Sequence, residues 1–178
     1  DVITFAGNGE PTLHPDFGEI IEDTIALRDR IAPRAKVSVL SNATQIGRER
    51  VRAALLRVDN NILKLDSAFD RTVWLVDRPR GNYSVAETVE NMKKFEGQLI
   101  VQTMFLRGEF EGKIVDNTTE EEVSAWLALI REIAPRQVMV YTIDRSTPAE
   151  NLQKVTVEEL KAIAARVEAL GITCSVAG

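Results

Sequence analysis

The sequence predicts an α/β fold on a parallel sheet, and three observations predict it. Short β-rich apolar runs alternate with longer helical patterns. Helix-to-strand connections are short (32–35, 58–61, 96–98 and 134–136), whereas strand-to-helix connections are long (7–16, 67–84, 107–119 and 144–156). In the run Ile62-Leu63-Lys64-Leu65-Asp66, the leucines share one face and Lys64 and Asp66 the other, as in a strand whose apolar side packs on helices. Connections in compact α/β units run to about 2–6 residues, and longer ones are usually functional. All the long ones here leave the carboxyl ends of strands. Both α/β barrels and open α/β sheets build their sites at that end, so the site is expected there.

Each element carries its own signal. Strands are expected at 2–6, 36–41, 62–66, 99–106, 137–143 and 172–176, and helices at 17–31, 48–57, 85–95, 120–133 and 157–170. Ser84 with Glu87, Thr118 with Glu121 and Thr156 with Glu159 match the capping box, in which two side chains satisfy orphan backbone donors. Pro33, Pro135 and Gly171 mark helix ends. Asp1 is followed at once by a strand already under way, whereas domain ends usually lie in exposed segments. The 178 residues therefore read as a single truncated domain, 1–178, cut from something longer.

Composition narrows the classes. With 44% hydrophobic and 28% charged residues the chain is an ordinary globular protein and not a disordered one. It is long enough to bury roughly 70% of its unfolded surface. No apolar run nears the ~18 residues of a membrane helix and no signal peptide opens the chain, so a cytoplasmic protein with no membrane partner is expected. One cysteine, Cys174, excludes a disulfide framework, a Cys-rich zinc site or a cluster ligated by this chain alone, and no metal ligand set is expected in it. Cys174 reads as a small buried hydrophobe. A net charge of -5 argues against a broad basic nucleic-acid surface but allows a local basic pocket.

Several residues have two readings. Lys64 and Asp66 point into a lumen or crevice, as a structural ion pair or as ligand contacts, because neither is buried cheaply alone. Gln102 is a further polar residue in mid-strand. His14 is a proton donor, a substrate contact or a partner of its own turn. Arg78, Arg80, Arg107 and Arg145 fall on top-side loops that also hold Asp70, Asp77, Glu109 and Glu111. They form either a pocket for phosphate, carboxylate or RNA backbone, or local ion pairs. In Gly7-Asn8-Gly9-Glu10-Pro11-Thr12-Leu13-His14-Pro15, two glycines at a strand end permit close backbone approach to a ligand, with Glu10 available for an ammonium group.

That nine-residue segment resembles the second-strand motif of radical S-adenosylmethionine (radical SAM) enzymes. Its spelling is similar to a branch of iron–sulfur oxidoreductases related to the wyosine tRNA-modification enzyme. Segments 39–44, 63–67, 78–79, 102–108 and 140–148 resemble the same branch, so the likeness runs from Asp1 to about Leu170. It implies a partial, open TIM-like barrel of five to six parallel strands with helices outside and the first βα unit missing. It also implies an enzyme that reductively cleaves S-adenosylmethionine (SAM) to a 5′-deoxyadenosyl radical for hydrogen abstraction. The [4Fe–4S] cluster of that chemistry is held by a Cys-x3-Cys-x2-Cys loop that this sequence lacks, so the fragment alone is expected to be inactive.

Carried over position by position, the resemblance places Gly7, Asn8, Gly9 and Glu10 at the methionyl amino group of SAM. Ser41 and Asn42 fall near its carboxylate or ribose. Lys64, Asp66 and Ser67 fall at ribose hydroxyls or carboxylate, as does Gln102. Tyr141, Thr142 and Asp144 fall at the adenine. Asn8 stands where the family has glycine, a substitution that its access to left-handed backbone tolerates. Catalytic residues toward the substrate are not identified, and a small molecule, a peptide or an RNA base would each serve as substrate. An electron donor such as flavodoxin or ferredoxin is the implied partner.

Two readings from other classes compete. One is a cluster-free α/β-barrel lyase with Lys64 as Schiff-base lysine and Asp66 or Glu10 as acid/base. The other is a non-catalytic α/β domain presenting its long loops to a partner. An unpaired first strand also predicts a non-native edge-to-edge dimer of the fragment. Sedimentation should show self-association that grows with concentration, and a clean monomer at high concentration would count against it.

Overall fold

A computed structural model describes residues 1–7, 9–143 and 151–177. In chain order the strands are β1 (Val2–Phe5), β2 (Lys36–Ser41), β3 (Asn60–Lys64), β4 (Ile100–Phe110), β5 (Lys113–Asp116), β6 (Gln137–Thr142), β7 (Leu152–Lys154) and β8 (Thr173–Ala177). The helices are α1 (Phe17–Ile31), α2 (Glu49–Leu55), α3 (Asp70–Val76), α4 (Val85–Lys93), α5 (Glu120–Ile133) and α6 (Val157–Glu168). Strands β1-β2-β3-β4-β6-β8 pair in parallel in that order and do not close, while β5 and β7 pair antiparallel with the far end of β4. The fold is thus α/β, an open partial TIM-like barrel, as the sequence predicts.

Period-two alternation divides the sheet into two unlike faces. One face carries Val37, Val39, Leu63, Leu65, Val101, Phe105, Val138 and Val140, all buried. The helices cover this face with Ile21, Leu55, Met92, Trp126, Ile130, Leu160 and Val167. Each such side chain contributes about 1.5–3 kcal/mol when fully buried, so the helix layer is held chiefly by this face. The opposite, concave face runs in register rows: Leu40, Ile62, Ile100, Gln137 and Thr173, then Lys64, Gln102, Met139 and Ser175, then Met104, Tyr141 and Ala177. Most of its residues are only half-buried.

Helix α5 shows how spacing becomes packing. Its buried residues Glu122, Val123, Trp126, Ile130 and Ile133 follow the three- and four-residue steps of one helix face. Trp126 meets Phe105 edge-on at 5.3 Å, and its indole N–H reaches Leu65 O at 3.2 Å and Thr103 Oγ1 at 3.1 Å. The ring therefore buries without an orphan donor.

The departures from expectation are local. The capping box at Thr156 and Glu159 is complete, whereas at Ser84 only the hydroxyl bond from Glu87 N forms. The α5 cap is Thr119 with Glu122 N, one residue later than expected, because Thr118 instead bonds Asp116. Within the expected 67–84 loop lies the helix α3, and β3 starts two residues early. Strand β4 runs on to Phe110 and turns into β5, where a loop was expected. That extension bends at Gly108, whose φ is 138° and where a Cβ would stand 2.1 Å from Asn151 O. Gly108→Ala should lower unfolding free energy by about 2–3 kcal/mol and expose the β7 amides. Urea melts and hydrogen exchange check this, and an unchanged midpoint would refute the close approach.

Candidate functional site

The carboxyl ends of the strands meet above the concave face, and Lys64 stands at their centre. Its ammonium lies 2.8 Å from Asp66 Oδ2 and pairs as well with Asp77, the residue that caps the C-terminus of α3. Asp66 is wholly inaccessible as a side chain. Its Oδ1 accepts from Met104 N at 2.9 Å, whereas Oδ2 has the ammonium beside it but no donor along its hydrogen-bonding direction. Burial pushes Asp66 up, Lys64 pulls it back and Asp77 pushes it further, so its carboxyl titrates at about 7. Burial lowers Lys64, but Asp66 and Asp77 outweigh that and hold it above its ordinary value. Lysine alternation with the leucines is thus resolved as an inward ion-paired cluster of one cation and two carboxylates.

A second carboxylate organises the loop after β1. Glu10 Oε1 accepts from Thr12 N at 3.1 Å, from the Thr12 hydroxyl and from Ser41 Oγ at 2.8 Å. Its Oε2 accepts from Asn42 N at 2.7 Å and keeps acceptor capacity for one more donor. Glu10 thereby ties the β1 loop to the end of β2. The Ser41 hydroxyl is engaged, donating to Glu10 and accepting from Ala43 N, and the Asn42 side chain closes its own turn onto Thr44. Gly7 and Gly9 have open space on the side where a Cβ would stand. Asn8 lies outside the described residues.

The remaining expected residues divide by face. Gln102 sits beside Lys64 in the inner row, and Tyr141 beside Met104; burial pushes the Tyr141 phenol up to about 12. Ser67 and Thr142 turn to the helix side. The Ser67 hydroxyl donates to Glu122 Oε2 at 2.6 Å, and Thr142 Oγ1 accepts from Val155 N at 2.9 Å, so neither hydroxyl reaches the concave face. His14 accepts from Asp16 N within its own turn at 3.1 Å. Arg78 pairs with Glu111 and lies over the Phe110 ring, and Arg107 pairs with Glu159, so these two form local ion pairs. Asp144 and Arg145 lie outside the described residues. Cys174 is half-buried on the helix face of β8, its thiol pushed up to about 11 by burial.

Asp77, read in the sequence only as one acid among the loop arginines, completes the lysine cluster. Two further contributors went unnoticed in the sequence. Asn117, buried, accepts from Leu106 N and donates to the carbonyls of Asp66 and Met104, so one amide locks the end of β3 to β4. Glu122, buried, accepts from both Ser67 and Thr72 and anchors the segment leading into α3. No periodicity flags such residues; only the backbone groups they meet give them meaning. Beside the cluster, a cavity of about 470 Å³ lies between the β2 loop, residues 77–84 and α4. Lys64, Asp77, Arg80, Asn82, Tyr83 and Asn42 line it.

The donor set suits a small polar zwitterion with an aromatic or apolar part. It offers an acceptor at Glu10 and a cation at Lys64; the cavity reaches Lys64 and Asn42, while Gly7, Gly9, Glu10, Met104 and Tyr141 lie outside its lining. It does not suit an iron–sulfur cluster. Cys174 is the single thiol and faces the helices, and among the described residues no group of three or more His, Cys, Asp or Glu is arranged to hold a metal ion. Among the described residues no helix is long and apolar enough to cross a membrane.

No family profile matches the chain. It is similar to a UPF0026 protein of Synechocystis sp., 31% identical over 154 residues, covering 84% of this chain and 53% of that protein. The chain spans about half the length of the UPF0026 relatives it matches. A radical SAM methyltransferase from Sphaerobacter thermophilus shares 16% identity at a TM-score of 0.72, covering 98% of this chain and 50% of that one. Streptococcus suis SuiB bound to S-adenosylmethionine shares 13% identity at a TM-score of 0.69, over 99% of this chain and 38% of that one. The chain has the fold of radical SAM enzyme domains.

A carboxyl with a raised folded pKa holds its proton more tightly folded than unfolded. The stability Asp66 contributes is therefore full below the ordinary carboxyl value near 4 and is lost as pH rises through about 7. Asp66→Asn keeps an acceptor for Met104 N and abolishes this titration. The urea midpoint of the variant should fall less than the parent's between about pH 4.5 and about pH 7.5, and parallel profiles would overturn the assignment.

Proposed function

We propose that this chain is the SAM-binding wall of a radical SAM iron–sulfur oxidoreductase, in the branch of oxidoreductases related to the wyosine enzyme. The observation that carries this reading is the inner row of Lys64 and Gln102, with Tyr141 above, flanked by the Glu10-clamped glycine loop, on a fold shared with radical SAM domains. Gly7, Gly9 and Glu10 would receive the ammonium group of SAM, and Lys64 its carboxylate or a ribose hydroxyl. Met104 and Tyr141 would face the adenine. Bound beside a reduced cluster, SAM supplies a carbon-centred radical for hydrogen abstraction. This chain's residues orient the ligand, hold the ammonium of Lys64 protonated and leave Glu10 Oε2 an acceptor position for a cationic donor. The cluster, in this reading, is held by residues outside the 178, the electron donor is a protein such as flavodoxin or ferredoxin, and the substrate is a small molecule, a peptide or an RNA base. A cytoplasmic setting, a single domain across 1–178 and inactivity of this piece by itself belong to the same reading.

The lyase reading fares worse. A Schiff-base lysine attacks as the neutral amine, whereas Lys64 is clamped as an ammonium between two carboxylates. S-adenosylhomocysteine, titrated into the chain and followed by calorimetry, should bind saturably, and Lys64→Met should weaken it at least about tenfold. A protein extended at its amino terminus and purified anaerobically should be brown and bleach with dithionite. A chain that binds no S-adenosylhomocysteine, or an extended protein without iron, would sink the reading.

A further inference from the structure

The lysine cluster is unbalanced, and its two carboxylates are held very differently. One ammonium faces Asp66 and Asp77, so with both acids ionised the group carries one excess negative charge in a half-buried place. Asp66 is locked: its side chain has no exposure, and Met104 N holds Oδ1. Asp77 is not. Its side chain keeps 19% of its exposure and it sits at the C-terminus of α3, the negative end of the helix, where a carboxylate is electrostatically disfavoured. The segment that follows turns at Arg78, with φ 48°, and at Gly81, with φ 78°. Among the described residues, 78–83 make no backbone-to-backbone hydrogen bond. Beyond the Asp77 pair, it is moored near its start by the exposed Arg78–Glu111 bridge and the Arg78–Phe110 contact, both on the β4–β5 hairpin, and at its far end by Tyr83, which packs against the core, and Ser84, which caps α4. Asp77 and residues 78–84 form one wall of the 470 Å³ cavity.

We propose that Lys64 is a carboxylate-exchange site: Asp77 holds the place of a ligand carboxylate, and an incoming carboxylate that takes Lys64 releases Asp77 together with the 77–84 wall of the cavity. The exchange swaps one carboxylate for another, so the charge around the buried Asp66 is unchanged. It also returns Asp77 to water, where its solvation is recovered. Arg80, which lines the same cavity without an ion-pair partner among the described residues, offers a second cation to the incoming anion. The ligand chemistry is a carboxylate with two sources, the methionyl carboxylate of SAM or a carboxylate on the substrate. The first source rests on the cofactor reading above and the second does not.

The test uses the 178-residue chain, its Asp77→Asn and Lys64→Met variants, and four probes: S-adenosylhomocysteine, its decarboxylated analogue, N-acetylglycine and N-acetylglycinamide. Calorimetry reads affinity, hydrogen exchange reads residues 77–84, and thermal melts confirm that each variant is folded. At least one acid should bind with a rise in exchange at 77–84, bind about tenfold tighter to Asp77→Asn, and outbind its neutral analogue. Asp77→Asn should show the raised exchange with no ligand, and Lys64→Met should lose the preference for acid. An effect confined to S-adenosylhomocysteine assigns the cofactor carboxylate, and one confined to N-acetylglycine assigns a substrate carboxylate. Binding of S-adenosylhomocysteine with no gain in Asp77→Asn and a silent 77–84 segment would overturn the exchange while leaving the cofactor reading intact. N-acetylglycine exchange with no nucleoside binding would do the reverse. Equal affinity for acid and neutral analogue would overturn the exchange outright.

Discussion

The whole arrangement depends on a sheet whose two faces have opposite solubility. Strands alternate side chains across the sheet, so each apolar residue turned to the helices forces its neighbour to the other side. Leu63 and Leu65 are buried under the helix layer, and Lys64 therefore has no choice but the concave face. The same parity sends Gln102, Met104, Met139 and Tyr141 inward and Val101, Thr103, Phe105, Val138 and Val140 outward. A one-residue slip of any strand would bury polar groups and expose the core, which is why the register is firmly specified.

On that scaffold the top of the molecule is assembled by polar side chains that bond to backbone. Glu10 joins the β1 loop to β2, Asn117 joins the end of β3 to β4, and Glu122 gathers Ser67 and Thr72 beneath α3. Each satisfies backbone or hydroxyl groups that the irregular loops would otherwise leave unpaired, and an unpaired buried group is costly. The lysine cluster is one exception, because Asp66 keeps an oxygen with no directed donor, and Arg107 Nε on β4 is another buried atom without a partner.

Legibility in the sequence followed the range of the physics. Helices α1, α5 and α6 and strands β2 and β6 were readable because periodicity and capping are local. The inward direction of Lys64 and the self-contained turn of His14 were readable for the same reason. The helix α3 was hidden inside a long loop because its seven residues hold too short an apolar pattern. The β4–β5 hairpin was hidden because a strand at 107–116 exists only by pairing with its neighbours. The resemblance placed Ser67 and Thr142 among the site residues without saying where their hydroxyls go, and these bond Glu122 and Val155 N on the helix side.

By itself, then, the sequence determined the class of fold and the face on which Lys64 stands, since both follow from alternation and loop length. Loop length also pointed to the carboxyl ends of the strands, where the lysine cluster stands. Only the tertiary structure decided that Lys64 pairs with Asp77 as well as with its strand neighbour Asp66. Asp77 is 13 residues away in sequence, and Asn117 is 51 from the Asp66 carbonyl it holds. No local rule connects them. Their meeting is set by how α3 and the β4–β5 hairpin pack over the ends of β3 and β4, and packing at such separations is a property of the folded whole.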